Sequence, residues 1–347
     1  MVNTNWNSNR KKVSRTFLRV GAGAIATLIL AGIASSYAND VSVSNGQTST
    51  VNTSASAPEG FDNAYTVRTY ASPDPDSVNS HLIETPNGVV VISAQRLFSE
   101  ADRAIARINR LGKPVLTIVV TVPHTDHFGG LTRWREAFPD AEIYAAEATV
   151  ESMRTDSGGY IASRKEAIGD DFPSQEQVNA VLPNEIVEDG DEITVDGLTL
   201  RFINLPNNNA PMNTLVYLPE QDVLFSSEVV EDSITVFLKE ADLDNWLQQL
   251  NLLEDRFTDT TIAYPAHGTP GPLQSLIAEA RTHLTLYRDG IDEALTDDQI
   301  MDEAETAALV SEVETAYPDY TAVARLPREQ LVSLNIQWQA EKRASAN

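Results

Sequence analysis

The sequence predicts an α/β protein in which two β-sheets pack face to face with helices outside them, and three observations point there. Segments with strand-like and helix-like apolar spacing alternate through two successive halves of the chain. The run at residues 115–120 is apolar without a break, as in a strand buried on both faces, and a polar stretch at 121–130 follows it directly. A second run, at 261–264, ends in the same way at Pro265-Ala266-His267-Gly268. The C-terminal ends of buried strands are where α/β proteins commonly hold ligands.

Composition narrows the function. The chain of 347 residues is 42% hydrophobic, enough for one large or two ordinary globular domains. Its 25 Lys+Arg against 50 Asp+Glu give a formal net charge of −25. Such a surface repels nucleic-acid phosphates and anionic lipid headgroups, so no nucleic-acid partner is expected. The absence of cysteine removes disulfides, thiolate ligands and thiol nucleophiles.

Residues 1–38 read as a general secretory signal peptide. Arg10, Lys11, Lys12, Arg15 and Arg19 precede an apolar run at 20–33, and Ser36-Tyr37-Ala38 is a small-x-small cleavage site. The run is short for a membrane span, and residues 14–18 carry only one arginine of a twin-arginine signal. The expectation is a periplasmic or secreted protein with no stable membrane association once the signal is removed; a retained anchor is the alternative. Residues 39–60, rich in Ser, Thr and Asn without periodicity, read as a flexible tether.

Residues 64–70 and 80–83 are predicted strands, and Asn87-Gly88 turns the chain into a third at 89–92. Ser99, with Asp102 three residues on, is predicted to cap a helix that Gly112 closes. Pro114 then leads into the buried strand at 115–120, with a helix starting near Leu131 after the polar stretch. A strand at 141–145 and a helix at 148–154 come next, and the segment from Asp156 onward reads as a surface excursion. Residues 185–204, with Asp189-Gly190 and Asp196-Gly197, read as a β-meander. Strands at 214–218 and 223–225 form a pair.

Leu243, Trp246, Leu247, Leu250 and Leu253 mark a helix over 241–257 by their spacing, with Trp246 as a packing residue. After the strand at 261–264, a helix is expected from Pro272 to about Asp289, then acidic helices broken at Pro318 and Pro327. The acidic run at 297–305 reads as a solvated helix face.

Chemistry concentrates in Val122-Pro123-His124-Thr125-Asp126-His127-Phe128-Gly129-Gly130. Of only five histidines, two sit here around an aspartate, and His267 stands in the second turn. Imidazole and carboxylate are ligands that zinc and its neighbours prefer, and Gly129-Gly130 is expected to let the backbone turn tightly around an ion. A hydrogen-bonded polar turn is the plain alternative. His81 is read as a core or edge residue, His283 carries no assigned role, and Asn207-Asn208-Asn209 suits a turn.

This stretch resembles the H-x-H-x-D-H-x-G-G signature of the metallo-β-lactamase fold superfamily, with Val122 in the place of the first histidine. Residues 265–270 resemble its P-G-H-G-x-P motif, with Ala266 in place of a glycine. The resemblance spans roughly 61–289. It implies a four-layer αββα sandwich of the metallo-β-lactamase type at 61–290, of the glyoxalase II-like, zinc-dependent hydrolase branch, with an acidic helical extension at 291–347.

Members of the superfamily hold one or two metals in two ligand clusters that share a carboxylate. The places of the first cluster hold Val122, His124 and Asn209 here. Those of the second hold Asp126, His127 and His267, with Glu228 as the shared carboxylate. The resemblance therefore implies one ion rather than two, zinc with manganese or iron as alternatives, on Asp126, His127, Glu228 and His267. It leaves His124 as a proton shuttle titrating near neutral pH and Asn209 to orient substrate. His124 and Asp126 are the expected catalytic residues. The implied activity is hydrolysis of a small-molecule ester, lactone, thioester or amide by metal-bound water. A catalytically inactive domain that binds a small molecule or a protein is the alternative, and metal storage or transport a third reading.

Overall fold

Val and Ile at alternating positions let the first sheet face two cores at once. A computed structural model describes residues 65–296 and 300–346. The expected signal peptide and tether, and part of the acidic run at 297–305, lie outside the described residues. The sheet runs in sequence order through β1 (Thr66–Ala71), β2 (Asn79–Glu84), β3 (Val89–Ile92), β4 (Val115–Val119), β5 (Glu142–Ala145) and β6 (Glu185–Ile186). It is antiparallel from β1 to β3 and parallel from β3 to β6. Helices Phe98–Asn109 and Leu131–Ala137 cover its outer face.

Side chains alternate across a strand. Val89 and Val91 therefore pack outward with Ala101, Ile108 and Trp134, while Val90 and Ile92 point inward. The inward set meets Leu200, Phe202, Val216 and Phe225 of the second sheet.

That second sheet contains β7 (Glu192–Val195), β8 (Leu198–Pro206), β9 (Met212–Leu218) and β10 (Val223–Ser227). After the short β11 (Ile234–Thr235), β12 (Ile262–Pro265) and β13 (Gly271–Pro272) complete it in the order β13-β12-β10-β9-β8-β7. Helices Leu243–Arg256 and Leu273–Ala294 bury Trp246, Leu250, Leu253, Ile277 and Tyr287 against its outer face. The result is the expected four-layer αββα sandwich. Helices Glu303–Ala316 and Arg328–Ala346 add to the helical layer. Among the described residues, no helix is long and apolar enough to cross a membrane.

Three expectations are corrected. Ser99 does not cap its helix with its own side chain, and Leu97 holds the cap position instead. The Asp171 carboxylate accepts the Ser99 N–H at 2.7 Å and its hydroxyl at 2.6 Å, so the cap comes from 72 residues away. The supposed excursion after Asp156 is helical over Tyr160–Ile168. The Asp156 carboxylate accepts the N–H groups of Ile161 and Ala162, which satisfies donors that the first turn leaves free. The meander at 185–204 is split between sheets: Val187 N–H donates to Ala145 in the first, whereas Gly190 N–H donates to Phe202 in the second.

The chain after Glu303–Ala316 returns across the molecule. Its β14 (Thr321–Ala322) pairs in parallel with β11, and Arg325 reaches Asp74 with two hydrogen bonds, at 3.1 and 2.6 Å. This strap carries Val323 and Ala324 over the C-terminal ends of β3, β4 and β10, where the polar residues collect.

Candidate metal centre

Beyond β4 the chain stays buried through Val122 and turns into a short helix, Thr125–Phe128, with His124 at its N-cap position. Gly129 and Gly130 both have helical backbone angles, so they do not serve to turn the chain around an ion. Their role is close approach. A Cβ on Gly129 would overlap the carbonyl oxygen of Arg96, and one on Gly130 that of Ala94. The motif glycines thus seat the loop after β3 against the motif helix.

That seating orients His127. Its Nδ1 lies 2.9 Å from the Ser93 hydroxyl and 2.8 Å from that of Thr121, which turns Nε2 towards Glu228 Oε1 at 3.3 Å. A histidine whose far nitrogen is held in this way presents its other nitrogen in a fixed direction. Glu228 follows β10, with its N–H donating to Asn213 Oδ1 at 3.2 Å. His267 follows β12, and its Nε2 lies 3.5 Å from Asp126 Oδ2 and 3.7 Å from Glu228 Oε1.

Asp126, His127, Glu228 and His267 are therefore brought together from three loops, all buried, with one ligand atom of each within 4.8 Å of the others. Two imidazole nitrogens and two carboxylate oxygens are a donor set that suits one divalent ion. Burial works to lower His267, but the nearby Asp126 and Glu228 carboxylates outweigh it and push the imidazole up to about 10. Burial would raise Asp126, yet the Arg96 guanidinium holds it below the usual carboxylate range. Ligand histidines must shed such protons to take up a metal.

The other expected residues are placed differently. Val122 is fully buried and offers no ligand atom. Asn209 uses both ends of its amide within the site, donating to Glu228 Oε2 at 2.8 Å and accepting from Asn213 at 2.8 Å. Both ring nitrogens of His124 face carboxylates. Its Nδ1 lies 2.7 Å from Glu228 Oε2, and its Nε2 lies 3.8 Å from Glu240. Burial lowers its pKa, but the Glu228 charge more than compensates and lifts it well above the ordinary imidazole value. Glu228 is in turn held well below its own, because the His124 charge outweighs the cost of burial.

His81 is a core residue, as read, with its ring between the Thr69 hydroxyl and the Pro265 carbonyl. Trp246 is likewise a packing residue that donates to the Val229 carbonyl.

Arg96, Asp76, Arg164, Tyr160, Glu231 and Glu240 were not anticipated. Arg96 pairs with Asp76 and, at 3.3 Å, with Asp126; Arg164 meets the same Asp76 oxygen at 3.1 Å. Tyr160 donates to Glu240 at 3.0 Å. Glu231 stands 3.9 Å from His267, and burial raises its carboxyl to about 8. Only Arg96 had a legible signal: it ends the segment Ser93-Ala94-Gln95-Arg96 that follows the apolar β3, beside the motif strand. A cavity of about 60 Å³ lies over the cluster, bounded by Tyr160, Phe237, Val323 and Ala324. It has room for a few waters and is smaller than the pocket of a drug-sized ligand.

Residues 73–267 match the sequence profile of the metallo-beta-lactamase superfamily. The linear primary-alkylsulfatase of Pseudomonas sp. (strain ATCC 19151) is 24% identical over 242 residues, which make up 60% of this chain and 44% of that protein. The chain thus spans less than half the length of this relative. Among solved structures, a metallo-beta-lactamase family protein from Thermus thermophilus superposes with a TM-score of 0.56 at 19% identity, over 80% of this chain and 93% of that one. The sec-alkylsulfatase Pisa1 from a Pseudomonas species gives 0.56 at 18% identity, over 80% of this chain and 48% of its own.

Proposed function

Because this chain belongs to the metallo-beta-lactamase superfamily, we propose that it is a hydrolase built around one divalent ion on Asp126, His127, Glu228 and His267. The observation that carries this reading is the convergence of those four ligand atoms within 4.8 Å, each on a buried side chain. Zinc is the proposed metal, with manganese or iron as alternatives. When bound, such an ion polarises the substrate and supplies a water acidic enough to attack near neutral pH.

The chain's own residues do the rest. Glu228 keeps Oε1 turned to the cluster because Asn209 and His124 hold Oε2. His124, charged between Glu228 and Glu240, is the group placed to give a proton to the leaving group. The strap and Phe237 border the cavity over the reacting centre. The proposed substrate is a small ester, lactone, thioester or amide. The alkylsulfatase names among the relatives add a sulfate ester to that set. Export through the N-terminal leader to the periplasm or beyond belongs to the same proposal.

A second reading, a domain that binds a small molecule without turning it over, is favoured by Val122 and Asn209 where a second ion would need ligands. One experiment separates the two. Metal content per chain is measured by elemental mass spectrometry on wild type and an Asp126→Ala/His267→Ala variant, followed by a panel of acyl and sulfate esters. About one equivalent in the wild type, none in the variant, and turnover only in the wild type support the hydrolase. Bound metal without turnover on any ester supports the binding module. A folded wild type that stays empty when metal is offered overturns the metal-dependent mechanism.

A further inference from the structure

We propose that Arg96 is a positioning residue that holds Asp126 to one-oxygen coordination and so sets the affinity and geometry of the metal site. The inference rests on the single-ion reading above. Each carboxylate of the cluster has one oxygen turned inward and one taken by a protein donor. Asp126 faces His267 with Oδ2, while Oδ1 lies 3.3 Å from Arg96 Nη2. Glu228 faces His127 and His267 with Oε1, while Oε2 meets His124 at 2.7 Å and Asn209 at 2.8 Å. The two arrangements are parallel, but their donors differ. Glu228 is held by residues in the places of the missing first cluster, and Asp126 by a guanidinium from a different loop.

The placement of that guanidinium is built in. Arg96 is only 5% exposed. Its N–H donates to the Ser77 hydroxyl at 3.3 Å, and its carbonyl oxygen packs where a side chain on Gly129 would stand. Asp76 anchors the guanidinium and is itself paired with Arg164 at 3.1 Å. An arginine so gripped cannot follow Asp126 if that carboxylate swings to chelate an ion with both oxygens. A planar guanidinium gives Asp76 and Asp126 a separate nitrogen each in a rigid fork, whereas lysine offers one flexible ammonium that does not hold the two carboxylates in that geometry. A fixed cation here also repels a second divalent ion from the same carboxylate.

The test uses the purified full chain and the metal alone. Zn²⁺ affinity is measured by calorimetry, and the visible spectrum of the Co²⁺-loaded protein reports coordination geometry. Arg96→Met is expected to weaken binding by about ten- to one-hundred-fold, the range for residues that orient a ligand, and to shift the Co²⁺ spectrum towards the weaker bands of a higher-coordinate ion. Arg96→Lys keeps the charge and guards against a variant that merely fails to fold. It is expected to show the same spectral shift with a circular dichroism spectrum like that of the wild type. Wild-type affinity and Co²⁺ spectrum in either folded variant overturn the proposal and leave the hydrolase reading standing. A wild type that binds no metal overturns both.

Discussion

Nδ1 of His124 lies 2.7 Å from Oε2 of Glu228, so the motif histidine and this buried carboxylate are joined by a hydrogen bond. Asn209 donates to the same oxygen. The His124 side of the cluster is therefore closed by hydrogen bonds. His124→Ala is expected to keep about one equivalent of metal and to lower turnover by at least about a hundredfold, as for loss of a general acid. Metal analysis beside kinetics checks it. Metal loss in step with activity would make His124 a ligand.

Gly129→Ala tests the seating of the motif helix. Alanine gains at most about 1 kcal/mol of helix propensity over glycine. The added methyl, however, meets the Arg96 carbonyl oxygen, and backbone moves less readily than a side chain. Overpacking of this kind costs about 1–3 kcal/mol. The expected net effect is destabilisation in urea unfolding together with weaker metal binding, because the displaced loop carries Ser93 and Arg96. Wild-type stability would show that the loop yields freely.

His81 predicts acid sensitivity. Burial holds its pKa at about 4, against 6.5 in the unfolded chain. The unfolded chain therefore takes up a proton that the folded one refuses, and stability falls as pH drops from 6.5 to about 4, then levels. Complete, the loss from this residue is about 3 kcal/mol. Urea midpoints of the metal-free protein across this window, compared with those of His81→Asn, isolate the effect. Parallel pH profiles would remove His81 as a cause.

The strap is expected to limit access. Ala324 borders the cavity of about 60 Å³ over the cluster. Ala324→Trp should lower kcat/KM by at least about tenfold, equivalent to about 1.4 kcal/mol, without changing metal content. Unchanged kinetics would mean that the strap does not limit access.

Much of the fold was legible because its causes are local. The alternating cores of β3, the unbroken run of β4 and the leucine spacing of Leu243–Arg256 follow from period-2 and period-3.6 burial. The residues of the candidate cluster were legible as well, since Asp126, His127 and His267 each stand in the turn after an apolar strand. What sequence alone left unread depends on partners distant in the chain. Asp171 caps a helix that Ser99 was expected to cap, 72 residues away. Arg325 comes back 251 residues to Asp74 to fix the strap. The charge state of His124 depends on Glu228, 104 residues on, and the orientation of Asp126 on a guanidinium that no motif contains. Hydrogen bonds and charges act over a few ångströms with no regard to chain separation. The sequence by itself therefore determined which strands end in ligands, and only the tertiary structure decided which ligand atoms point inward and what holds them there.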